Sequence, residues 1–318
     1  MRYWVVCAII GASLASGQTV KKAWATARTA DGQPDFQGIW HTATLTPLER
    51  PPEFAGKEFL TEKEAAEYER QTLDRINTDH RSSDPNRDLG GHYNEVWRDR
   101  GTGVVPSRRT SLIVDPRDGR IPPFTPEGQK KRDAQLAAEK AAAGPEDLPL
   151  RLRCITRGLP MDPTPNNNFF QIVQGPGYVT ILQEMMYEAR MIPLDARPHA
   201  PSAIRSYMGD SRGHWDGDTL VIDTTNFVGK DHFHGADENM HLTERLTRVD
   251  ANTILYRFTV DDPTAYTKPW SGEIPMVKTD EAIFDFECHE GNYSLPGILA
   301  GAREAERKAE EKAGKTTK

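Results

Sequence analysis

Apolar and polar residues alternate with a period of two along 253–260. Ile254, Tyr256, Phe258 and Val260 fall on one side, and Leu255, Arg257 and Thr259 on the other. A strand with one buried face carries this pattern, because successive side chains leave a strand in opposite directions. The run 282–289 repeats it, with Phe284, Phe286 and Cys288 opposite Asp285, Glu287 and His289, and predicts a further strand. Turn residues separate other such runs. Asp216-Gly217 sits between two of them, the strongest short-range signal for a hairpin. Asp250-Ala251-Asn252 joins 242–249 to 253–260. Gly175-Pro176-Gly177 joins a short strand over 169–174 to one long strand over 178–192. Shorter strands are predicted at Gly38-Ile39-Trp40 and over 111–115.

Helical patterning is confined to three places. Thr61 and Glu64 are spaced as a capping box, after which Ala65, Tyr68, Leu73 and Ile76 share a face and predict a helix over 62–76. Thr125-Pro126 open a second helix and Gly144-Pro145 close it; its charged majority marks it as solvent-facing. The third, 303–315, is charged throughout, with Glu304/Lys308 and Glu311/Lys315 spaced for local pairing. Hairpins that follow one another predict a mainly β fold, an antiparallel meander over 154–300 curled into a barrel or sandwich. A loop- and helix-rich region, 18–153, wraps this core, and 301–318 forms a charged C-terminal helix or tail.

Composition narrows the class. The 318 residues include 25 glycines and 23 prolines with 37% hydrophobic content, which suits a loop-rich β protein better than a helical bundle. A net charge of −7 and the lack of a concentrated basic stretch argue against nucleic acid as the main partner, and a small molecule or another protein is expected. Residues 1–17 combine Arg2, an apolar segment from Trp4 to Leu14 and small residues at Ala15, Ser16 and Gly17, the pattern of a secretory signal peptide. The apolar segment falls short of the ~20 residues that span a bilayer. Export to the periplasm or beyond is therefore expected, with no stable membrane span once the leader is removed. Cys7 would leave with it. Cys154 and Cys288 then form either a disulfide, suited to an oxidising compartment, or two buried thiols.

Titratable groups concentrate between Pro198 and His241, where His199, His214, His232, His234 and His241 stand among Asp210, Asp216, Asp218, Asp231 and Glu238. On a strand, His232 and His234 would share a face, as a metal chelate requires. With Asp231 they form the candidate set for a divalent metal, the one cofactor these residues suggest. The alternative is metal-free acid–base chemistry, since imidazole titrates near neutral pH and a carboxylate fixes its tautomer. His214, His232, His234, Glu244, His289 and Glu290 are the candidates for that role. Glu244 shares strand parity with Leu242 and Leu246, so it points either into a barrel or, with that whole face, outward. His289, Glu290 and Tyr293 in the run CHEGNY would lie at a barrel mouth; Tyr187, Arg190, Trp215 and His241 are further candidate ligand contacts. The polar stretch 77–105, with His80, His92, Tyr93, Glu95 and Trp97, is either a surface loop or a ligand-facing lid. No Gly-x-Ser-x-Gly elbow, phosphate-binding glycine loop or Cys-x-x-Cys pair occurs, which argues against common hydrolase, nucleotide-binding and zinc-ribbon classes.

Gly38-x-Trp40 resembles the lipocalin signature, which implies a lipocalin-like barrel and a small-molecule carrier. Longer stretches, PDFQGIW, GDSRGHWDGDTLVIDTTNF, LTERLTRVDANTILYRFTVDDP and CHEGNY, resemble a family of exported bacterial proteins over most of the chain after the leader. That resemblance implies no particular activity and transfers no catalytic residue. The expected function is an exported enzyme applying histidine and carboxylate acid–base chemistry to a small organic substrate in a barrel pocket. The alternatives are a noncatalytic lipocalin-like binding protein and an envelope interaction module. Convergence of the histidines on one enclosed polar pocket would favour the enzyme.

Overall fold

Strand alternation becomes the wall of a barrel in the computed structural model, which describes residues 24–80, 83–84, 94–229 and 233–316. The leader, His92, Tyr93, Asp231 and His232 lie outside the described residues. The strands are β1 (Gly38–His41), β2 (Ile113–Asp115), β3 (Phe169–Gly175), β4 (Tyr178–Gln183), β5 (Glu188–Pro193), β6 (Asp210–Asp216), β7 (Thr219–Thr225), β8 (His241–Arg248), β9 (Thr253–Asp261) and β10 (Trp270–Thr279). They form one antiparallel, nearly closed sheet in the order β5-β4-β3-β1-β10-β9-β8-β7-β6, with β2 pairing β10 off this path. The fold is mainly β, a barrel with three helices, as the patterning predicts.

Nine strands alternating in direction leave the first and last running the same way, so β5 and β6 meet as parallel neighbours. Among the described residues no ladder joins them, and side chains make the seam instead. The backbones come so close that a Cβ on Gly213 of β6 would lie 2.8 Å from Ile192 Cγ2 of β5 and 2.7 Å from Leu194 Cδ2. Because consecutive parallel strands cannot be joined by a tight turn, residues 194–209 run back along the barrel to start β6.

Two strand expectations are corrected, and one strand is added. The long strand over 178–192 is two, β4 and β5, because Met186 and Tyr187 take positive φ in a turn closed by Tyr187 N–H donating to Glu184 O at 2.9 Å. The run 282–289 forms no strand: Phe284 is 70% exposed despite its alternating pattern. The barrel's place between β1 and β9 is already taken by β10, a strand the pattern hid because Gly272 and Pro275 interrupt it. Proline is tolerated there for a geometric reason. β2 pairs with Ser271 and Gly272 and β1 with Val277, Lys278 and Thr279, so Pro275 falls in the interval between them, where no ladder partner needs its missing N–H.

The interior is packed with side chains. Trp40, Phe170, Tyr256, Phe258 and Trp270 are fully buried, with the Phe258 and Trp270 rings edge to face at 5.8 Å. At the centre lies a charged pair. Glu244 alternates inward with Leu242 and Leu246, and its two oxygens accept from Arg190 Nη1 and Nη2 at 2.6 and 3.1 Å. This decides which way its face points.

Helix α1 (Glu62–Ile76) opens with the predicted capping box, Glu64 N–H donating to Thr61 Oγ1 and Thr61 N–H to Glu64 Oε2. Helix α2 (Pro126–Ala141) is capped by Thr125 and packs its first turn on the β9–β10 connection, Gly128 against Ala265. Helix α3 (Ser294–Thr316) extends the predicted charged tail. It is tied down by Arg303, whose Nη atoms donate to Ala141, Ala142 and Ala143 O at the end of α2. A cation on unpaired terminal carbonyls is favoured by the helix dipole. Cys154 and Cys288 are disulfide-bonded across 134 residues, Cα to Cα 5.6 Å, pinning the C-terminal arm beside the segment before β3.

Candidate functional site

One end of the barrel is closed by three segments that surround a cleft of about 310 Å³: the loop after Cys154, the loop at Phe233-His234, and α2 with the residues that follow it. Local sequence explains the first. In Thr156-Arg157-Gly158-Leu159-Pro160-Met161-Asp162, Leu159 and Met161 are buried in the core, while Arg157 and Asp162 line the cleft. Thr156 Oγ1 accepts from Gly158 N at 2.9 Å and donates to Glu188, fastening the loop to the start of β5. The second loop is held by Tyr266, whose hydroxyl donates to Phe233 O and His234 O at 3.1 and 2.9 Å. The Phe233 ring stacks on Trp270 at 5.6 Å.

Arg157 is the centre of the site. Its side chain is 5% exposed and its guanidinium lies over the Phe170 ring at 5.2 Å. Nη2 reaches Asp162 at 3.4 Å, while Nε and Nη1 have no hydrogen-bond partner among the described residues. An unmet buried donor costs about 1–3 kcal/mol, and more on a charged group. Asp162 compensates weakly. Burial pushes its carboxyl above the usual range against the opposing pull of Arg157 and of His234 close by, and its one contact with the guanidinium is long. Burial also lowers the arginine's own pKa, yet a guanidinium stays charged. Arg132 and Arg151 line the same cleft, so among the described residues three arginines and one carboxyl group line it.

A hydrogen-bonded chain ties this loop to the barrel's centre. Met161 N–H donates to the Tyr256 hydroxyl at 3.2 Å, and that hydroxyl donates to Glu244 Oε1 at 2.8 Å. The Arg190–Glu244 pair thus braces the residue beside Asp162. Behind the cleft, burial raises the carboxyls of Glu184 and Glu188.

Of the described residues singled out by sequence, His234 alone lines this cleft. His214 is exposed on β6, and His289 and Glu290 are exposed beyond the last strand. Tyr187 is half exposed at the β4–β5 turn, and Tyr293 is 84% exposed. His241 lies at the outer start of β8, where Asp223 binds it at 2.5 Å and His199 at 2.8 Å. That carboxylate is held below its usual range by His241 and raises the imidazole in return. Arg190 and Glu244 satisfy each other inside the barrel. Trp215 packs on Phe36 at 5.5 Å and lines a different cleft beside the β3–β4 and β6–β7 turns. Among the described residues no three histidine, cysteine or acidic side chains are placed to hold a metal ion, and no helix is long and apolar enough to cross a membrane.

Arg157, Asp162 and Arg132 went unremarked in the sequence, although a signal for the first two was present. An arginine and an aspartate flank the apolar run Gly-Leu-Pro-Met, and charges among residues bound for a core are buried with them. Comparisons of the chain with protein-family models, with characterised proteins and with solved structures return no match.

Proposed function

We propose that the protein is a noncatalytic small-molecule-binding protein that takes a small organic anion, a carboxylate or phosphate ester, in the cleft at this barrel end. One observation carries this reading: among the described residues, a buried guanidinium with two unpaired nitrogens stands in a cleft lined by three arginines and one acid. An incoming carboxylate would meet the guanidinium nitrogens that Asp162 does not reach, in the two-pronged geometry a guanidinium favours. The disulfide supports a place outside the reducing cytosol, since such bonds persist in oxidising compartments. The test is calorimetric titration of the full chain with inorganic phosphate and a panel of small carboxylates. Saturable binding to the wild type, weakened at least tenfold in Arg157→Gln with an unchanged circular-dichroism spectrum, supports the reading. Absence of saturable binding of any anion to the wild type ends it.

The acid–base enzyme is the second reading, favoured by Asp162 with its raised pKa next to His234 on the cleft wall. It requires Asp162→Asn to keep anion binding while abolishing turnover of the bound molecule.

A further inference from the structure

Helix α2, which sequence marks as solvent-facing, is one wall of a second and larger hollow. This space of about 470 Å³ adjoins the arginine-lined cleft and shares Arg132, Pro149 and Leu150 with it. Its floor is apolar: Ala134 and Ala138, one turn apart on α2, face Leu148 and Leu150, both nearly buried. The charges at its edge are in part already engaged. Lys131 Nζ donates to Asp237 at 2.9 Å, and the Asp147 carboxylate accepts the Ala143 and Gly144 amides at 2.8 and 3.2 Å. Those side chains are matched within the protein, while Glu146, Arg153 and Glu238 stand at the edge beside the apolar floor. The first cleft alone is at the small end for a ligand site; joined to the second it reaches the ordinary range.

Resting on the anion-binding reading, we infer that the bound molecule is an amphipathic monocarboxylic acid. Its carboxylate meets Arg157 and its hydrocarbon body passes Pro149 and Leu150 to lie over Ala134 and Ala138. Arg132, shared by both spaces, marks the passage between head and tail. Burial of each added methylene then strengthens binding about fourfold until the floor is covered.

The experiment is calorimetry on the full chain with straight-chain acids from acetate to decanoate, together with 1-octanol. Affinity is expected to climb about fourfold per methylene between butyrate and octanoate. Octanol should bind at least tenfold more weakly than octanoate. Ala138→Gln and Ala134→Gln, which keep good helix formers on α2, should flatten the climb while leaving acetate affinity unchanged. Acids that bind with one affinity at every length overturn the amphipathic assignment and leave the anion site standing. A climb that survives both glutamine variants overturns the assignment of the tail to α2. If no acid of any length binds, the anion site itself fails.

Discussion

Arg190 and Glu244 face each other across the barrel interior in a two-pronged ion pair, 2.6 and 3.1 Å, with Tyr256 as a third partner on the carboxylate. A buried pair is a weak net source of stability, since both ions gave up water to form it. Breaking it is another matter, because the survivor is left charged and alone.

Glu244→Gln and Arg190→Met are therefore each expected to cost about 3–5 kcal/mol in urea unfolding. Replacing both with apolar residues should cost clearly less than the two single losses added together. Tyr256→Phe should cost about 1–3 kcal/mol, because it leaves the Met161 amide without its acceptor. Equal additivity of the charged pair would show that the ions do not act on each other.

Alkaline pH attacks a different feature. The Tyr256 and Tyr266 phenols both sit above the ordinary value of 10.0, chiefly because burial disfavours the phenolate. A raised acid pKa means the folded state holds its proton more tightly than the unfolded chain. This contribution is fully present below pH 10.0 and is lost as pH rises from there through the folded values. Unfolding followed by tyrosinate absorbance should therefore show ionisation of these two rings coinciding with loss of the fold. Titration of both in an intact barrel near pH 10 would contradict their burial.

The Cys154–Cys288 bridge closes 134 residues, and in the chain-entropy model a loop of that size stabilises by roughly 4–5 kcal/mol. Cys154→Ser with Cys288→Ser should lower stability by a similar amount. Because Arg157 lies three residues from the bridge, anion affinity should fall as well. An unchanged affinity would mean that the Thr156–Glu188 bond and the buried Leu159 and Met161 hold the loop without the bridge.

Replacing a helical glycine by alanine ordinarily stabilises by about 1 kcal/mol. At Gly128 the sign should reverse. An added Cβ would lie 2.3 Å from Ala265 O, a backbone atom that cannot swing aside. Gly128→Ala should destabilise by about 1–3 kcal/mol through overpacking. It should also disturb the wall that α2 presents to the larger hollow.

How far sequence reaches is seen in particular residues. The capping box at Thr61 and the turns at Gly217 and Asn252 are local physics, and their elements form as predicted. Phe284 and Phe286 carry an equally good alternation, but a strand also needs an edge to pair with, and only the completed barrel shows that the place between β1 and β9 is filled by β10. Glu244 had an undecided direction because parity sets which residues share a face and not which face is inside. The histidines attracted attention by type and spacing, whereas the cleft is built by Arg157, Asp162 and Arg132, brought together from separate segments. Chemistry assembled by tertiary folding leaves no spacing to read.

An odd count of strands has its own consequence. Where β5 meets β6 the ring is split, and only interlocked aliphatic groups hold the two lips together. Interior strands such as β8 and β9 must break bonds on both flanks before they release their amides, but these two need surrender none on the shared flank. Amide exchange should thus be fastest along that slit, and a hairpin leaving there would take Arg190 with it, carrying the loss from the slit directly to the charge at the barrel's axis.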